Sequence, residues 1–224
     1  VALSTLPQLV QGKPGLPPFW VVAGASVAQS ALLLALSVWA GVRLAPRLGL
    51  HAPALQAWIE RSPAWPHLRA ALPAALGAGV LAGAGLVLAA ASAPAELAAL
   101  RARVDVALPW RMLYGGITEE LLLRWGMMSV LAWLFWRFLQ GGAGVPGAAW
   151  MWSAIVVSAL LFGAGHLPAA AAQAGALGPA LVAHVVLVNA AFGLLAGWLF
   201  WRHGLEAAMM AHACAHLVAY LLGS

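Results

Sequence analysis

Long apolar runs alternate with short polar segments along the whole chain. The runs cover about Phe19 to Val42, Ala70 to Ala93, Met112 to Phe138, Ala148 to Ala172, Ala180 to Trp201 and Leu205 to Leu222. A bilayer-spanning helix needs about 20 mostly apolar residues, and each run supplies close to that. The pattern predicts an all-α fold, a polytopic membrane helix bundle of about six transmembrane helices. Residues 44–69 break it with His51, Glu60, Arg61, His67, Arg69 and four prolines, yet carry Trp58 and Trp65. Such a segment is expected at the membrane interface. Residues 94–111, with Glu96, Arg101, Arg103, Asp105 and Arg111, form a second amphipathic surface stretch by the same criterion. The Gly/Pro-rich string 141–147 is a turn by composition. In the second run, Gly77, Gly79, Gly83 and Gly85 allow a neighbouring helix to come close.

Composition sharpens this picture. Of 224 residues, 64% are apolar and 8% charged, and the mean hydropathy is +0.92. Soluble domains carry about 45–50% apolar and about 25% charged residues. A water-soluble globule and a disordered tail are thereby excluded, and the single Cys214 excludes a disulfide scaffold. One membrane domain over residues 1–224 fits the length. The net charge of +5 arises from arginines beside apolar runs, where lipid headgroups are the nearer partners. No basic stripe with interleaved aromatics points to nucleic acid. Many tryptophans, such as Trp20, Trp39, Trp110 and Trp201, lie near run ends as interfacial anchors. Arg43, Arg47, Arg61, Arg69, Arg137 and Arg202 fall on one side, against Lys13, Arg101, Arg103 and Arg111 on the other. This bias faces the termini away from the cytoplasm.

Ionisable groups inside spans cost about 2.5–3.5 kcal/mol each on insertion scales, so each needs a partner or a task. The third run holds Glu119-Glu120-Leu-Leu-Leu-Arg124. Glu120 and Arg124 share a helix face and make a structural pair. Glu119, about 100° round the helix from its neighbour, is left facing elsewhere. The fourth run ends on Phe162-Gly-Ala-Gly-His166, and the sixth carries His212-Ala-Cys-Ala-His216, with both imidazoles on one face. Cys214 lies opposite and reads as packing. His184 reads as structural, and the buried amide of Asn189 calls for a cross-helix partner. Glu119, His166, His212 and His216 come from three different runs and satisfy one another only as a cluster. A carboxylate with imidazoles in a shielded site suits water activation and oxyanion stabilisation, hence peptide hydrolysis.

At these residues the chain resembles the CPBP family of membrane-embedded proteases. That family includes type II CaaX prenyl endopeptidases and bacterial relatives linked to bacteriocin self-immunity. Its Glu-Glu-x-x-x-Arg motif is matched by Glu119, Glu120 and Arg124, and its Phe-x-x-x-His motif by Phe162 and His166. The last motif, His-x-x-x-Asn in the family, has His216 in place of the Asn after His212. The stretch from Asn189 through Gly193 to Gly197 is similar to the family's preceding span. The likeness covers a catalytic core of about residues 112–220. It implies an intramembrane endopeptidase in which Glu119 and His166 activate water, and His212 with His216 holds the oxyanion or a metal. Phe162 and Asn189 are supporting residues by the same comparison. Members are described both as zinc proteases and as metal-independent glutamate proteases. His166, His212 and His216 are donors that zinc accepts, and the residues slightly favour a metal-free reaction.

The expected partners are the lipid bilayer and a membrane-associated peptide or protein substrate, with lipidation suggested by the prenyl endopeptidases. An Ala/Gly-rich, Lys-poor composition points to a multi-pass protein of a bacterial cytoplasmic membrane. Two other classes compete: a non-catalytic immunity protein that sequesters a membrane-active peptide, and a proton-coupled carrier. The carrier is disfavoured because no repeated halves or paired broken helices are visible.

Overall fold

The computed structural model describes residues 18–94, 106–174 and 177–223. Its elements are helical: α1 (Phe19–Leu44), a 3-10 turn (Ala45–Leu48), α2 (Pro53–Ile59) and α3 (Trp65–Ala91). A helical rod follows, built of α4 (Leu108–Leu113), π-helical stretches Tyr114–Glu119 and Leu121–Met128, α5 (Ser129–Leu134) and a π-helical end, Phe135–Leu139. The chain continues through α6 (Ala148–Gly165), α7 (Leu167–Ala174), α8 (Pro179–His203) and α9 (Leu205–Gly223).

Among the described residues, five helices are long and apolar enough to cross a membrane. They correspond to α1, α3, α6 running on into α7, α8 and α9. The rod is the sixth expected span. It carries Arg111, Glu119, Glu120, Arg124 and Arg137, and α-helical and π-helical register alternate along it where a continuous helix was expected. The second span begins at Trp65, not near Ala70, because Pro66 sits in the first turn, where its missing N–H costs nothing. Lys13, Glu96, Arg101, Arg103 and Asp105 lie outside the described residues, and with them most of the second surface stretch and part of the charge count.

Small residues bring the helices together. A methyl built on Gly79 would meet Cys214 Cβ at 2.5 Å, and one on Gly83 would meet Val218 Cβ at 2.6 Å, so α3 lies close along α9. Gly77 and Gly85 face open space instead. The α6–α8 seam is similar. Gly163 presses on the Val186 backbone, Gly193 on Ala159 and Gly197 on Ile155. Gly41 against Trp125 and Gly126 against Ser37 seat α1 on the rod. Dispersion across such close contacts is a main source of helix association in a bilayer, where apolar burial drives little.

The first turn of α9 is clamped to α2. Gly204 takes φ +90° and lets the chain reverse between α8 and α9. Leu205 N–H donates to His51 O at 3.0 Å. Glu206 Oε1 accepts from Leu55 N–H at 2.8 Å, which satisfies one of the first-turn donors that α2 cannot satisfy itself. Leu205, Ala207, Ala208, Ala211 and Ala215 are buried, so α9 is well enclosed in the bundle.

Gly193→Val is expected to lower the thermal midpoint of detergent-solubilised protein, since overpacking a close contact costs about 1–3 kcal/mol. Gly77→Val, facing open space, leaves that midpoint near wild type. Equal midpoints for the two variants would contradict the close α6–α8 seam.

Candidate functional site

Two adjacent carboxylates on the rod address one imidazole of α9. Glu120 Oε1 accepts from His212 Nδ1–H at 2.7 Å. Glu119 Oε2 stands 3.8 Å from His212 Nε2, on the other side of the same ring. Glu119 therefore does not face away from its neighbour. The π-helical stretch ends at Glu119 and the next begins at Leu121. A π turn holds more residues than an α turn, so the angle between neighbours narrows. The two nitrogens of one imidazole span what remains. Glu120 is accordingly more than half of an ion pair.

That pair is present as well. Arg124 lies 3.2 Å from Glu120 Oε1, and both side chains are almost wholly buried, at 2% and 0% exposure. Arg124 also donates to Gly193 O of α8 at 3.3 Å. Its guanidinium lies over the Phe162 ring at 4.8 Å and near the Phe192 ring at 5.6 Å. A planar, weakly hydrated cation suits contact with these two aromatic rings. Arg124 thus ties the rod to α6 and α8 while Glu120 ties it to α9.

His166 caps the C-terminus of α6. Its Nδ1 donates to Phe162 O at 2.8 Å, since a carbonyl only accepts, which leaves Nε2 with a free lone pair in the neutral ring. Phe162 makes edge-to-face contacts with both imidazoles, with ring centroids 4.8 Å from His166 and 6.2 Å from His212. His216 stacks on His212 with centroids 5.0 Å apart and planes at 22°. Asn189 donates to Val185 O one turn back in α8 at 2.8 Å, where a cross-helix partner was expected. Cys214 packs against Gly79, away from the imidazoles. His184 is half-buried in α8, with its Nε2 enclosed and lacking a hydrogen-bond partner.

Phe192 and Gly115 were missed in the sequence. Phe192 lies 4.3 Å from the His212 ring and closes that side of the site. Gly115 was signalled only by the Gly115-Gly116 pair inside an apolar run, a weak mark of close backbone approach. A Cβ on it would lie 2.8 Å from His212 Nε2 and 2.9 Å from His216 Nε2.

Among the described residues, no group of three or more His, Cys, Asp or Glu side chains is arranged to hold a metal ion. His212 Nδ1 is engaged by Glu120 and His166 Nδ1 by Phe162 O. The nitrogens so engaged are both Nδ1, which leaves the Nε2 atoms of His166, His212 and His216 as the donors a zinc ion would use; no step below passes through a metal.

A family model described as Type II CAAX prenyl endopeptidase Rce1-like matches residues 104–218. The chain belongs to that family. The matched stretch takes in every charged residue of the site, from Glu119 to His216. Membership makes the protein a multi-pass, CAAX-type protease whose substrate is a membrane-associated protein. Neither a curated protein nor a solved structure matches the chain.

Arg124→Ala in this CAAX-type protease is expected to destabilise the folded state by about 3–5 kcal/mol, because it strands a buried Glu120. The double change Arg124→Leu with Glu120→Leu removes both charges and should cost less in thermal unfolding than Arg124→Ala alone. A double variant worse than the single one would contradict the buried ion pair.

Proposed function

We propose that the protein is an intramembrane endopeptidase that hydrolyses a peptide bond of a lipidated, membrane-associated substrate, using water activated by Glu119 and His166. The observation that supports this most is the pair of carboxylates on opposite nitrogens of His212. With Glu120 taking Nδ1–H, the His212 Nε2 edge faces Glu119 and the space beside it. The buried charges of Glu120 and Arg124 offset each other. A neutral pair of this kind is compatible with low-dielectric surroundings.

The proposed reaction uses Glu119 as a carboxylate base and His212 as a hydrogen-bond donor at Nε2. A water held by Glu119 and the His166 Nε2 lone pair gives one proton to Glu119 as its oxygen attacks the scissile carbonyl carbon. The C=O π pair moves onto oxygen, and His212 Nε2–H and His216 stabilise the resulting oxyanion. As the tetrahedral species collapses, the C–N bond breaks and the Glu119 proton passes to the leaving amine. A carboxylic acid and a free amine result, and Glu119 is again ionised. Phe162 and Phe192 wall the cluster with apolar rings, which strengthens every charge–charge term inside it.

The test uses purified protein in liposomes with a membrane-anchored, lipidated peptide ending in a CaaX sequence. Glu119→Ala and His166→Ala should each lower kcat by about 10²–10⁴-fold while leaving the thermal midpoint near wild type. Full turnover by either variant would contradict the assignment.

A further inference from the structure

The contact between Gly115 and the two α9 imidazoles carries a consequence for the reaction. Gly115 is buried on the first π turn of the rod, one turn before Glu119. A methyl on its Cα would stand 2.8 Å from His212 Nε2, 2.9 Å from His216 Nε2 and 3.1 Å from His212 Cδ2. Optimal separations between heavy atoms are about 3.5–4.0 Å, so both rings already occupy the space a side chain would need. His212 is hemmed in by Glu120, by Phe192 and by the stacked His216 ring, and only the last of these gives way when His216 is shortened. The His212 Nδ1 is held by Glu120 at 2.7 Å, and the Phe192 ring lies 4.3 Å away. His216 is stacked on His212, so movement of one ring disturbs the other.

We infer that Gly115 is a positioning residue for the reaction: its missing side chain sets how closely the Nε2 edges of His212 and His216 approach the rod beside Glu119. The inference rests on the proposed role of those imidazoles in holding the oxyanion. Gly116 makes a sharp comparison. A methyl there would meet Met209 O at 3.1 Å and Ala213 Cβ at 3.3 Å, touching α9 but neither imidazole. The two glycines thus separate rod–α9 packing from placement of the rings.

The experiment compares Gly115→Ala, Gly116→Ala, His212→Ala and His216→Ala in the same liposome assay, with thermal unfolding of each. Displacing a reacting group by about 1 Å can cost about 100-fold. Gly115→Ala is therefore expected to lose about 100-fold in kcat with KM little changed, and Gly116→Ala to stay within about threefold of wild type. In a His216→Asn background, where the shorter side chain makes room, the loss caused by Gly115→Ala should shrink by about tenfold or more. Should Gly115→Ala fail to fold, recovery of folded protein by adding His216→Asn supports the clash, and no recovery overturns it. Wild-type turnover by Gly115→Ala, or equal losses at Gly115 and Gly116, also overturns the inference. Full activity in both His212→Ala and His216→Ala would instead remove the functional assignment on which it stands.

Discussion

A carboxylate enclosed among transmembrane helices has to be matched charge for charge and hydrogen bond for hydrogen bond. Glu120 is fully buried, and its Oε1 answers that demand through Arg124 on its own rod and His212 on α9, while its Oε2 stays enclosed without a hydrogen-bond partner. Arg124 in turn donates to the α8 backbone and lies over two phenylalanine rings. The rod, α6, α8 and α9 thereby share one polar junction. Helices that bury little apolar area against one another in lipid gain their mutual orientation from such contacts and from close backbone approach.

This junction links stability to chemistry. The groups that neutralise Glu120 also fix the His212 ring, and the ring's other nitrogen then faces Glu119. Glu119 is the more accessible of the two acids, with a side chain 19% exposed against 0% for Glu120. Neighbouring residues of one type are thus divided by environment into a fully enclosed, ion-paired group and a more accessible one. Both acids sit where two π-helical stretches meet, at Glu119 and Leu121. Such local departures from α-helical hydrogen bonding are frequent at functional sites.

Much of this was legible in the amino-acid sequence. Apolar runs located the spans because hydrocarbon admits so few polar side chains, and for the same reason Glu119, Glu120, Arg124, His166, His212 and His216 stood out within them. Other features were out of reach. Helical periodicity assumes α geometry, so it turned Glu119 away from Glu120 and could not foresee the π stretches. The second partner of Glu120 lies on a helix 92 residues further along. Gly77 and Gly79 look alike in sequence, yet only Gly79 meets a neighbour. Gly115 is silent because its contribution is the absence of atoms. Asn189 bonds within its own helix, a solution that sequence pattern does not distinguish from a cross-helix one.

The central claim is that Glu120 and His212 are coupled directly across the rod–α9 interface. A double-mutant cycle on unfolding of the solubilised protein, with Glu120→Gln, His212→Asn and the pair together, measures that coupling most directly. An interaction energy between about 0.5 and 3 kcal/mol is predicted for residues in one hydrogen-bonded network. Additive effects, within about 0.3 kcal/mol, would contradict it.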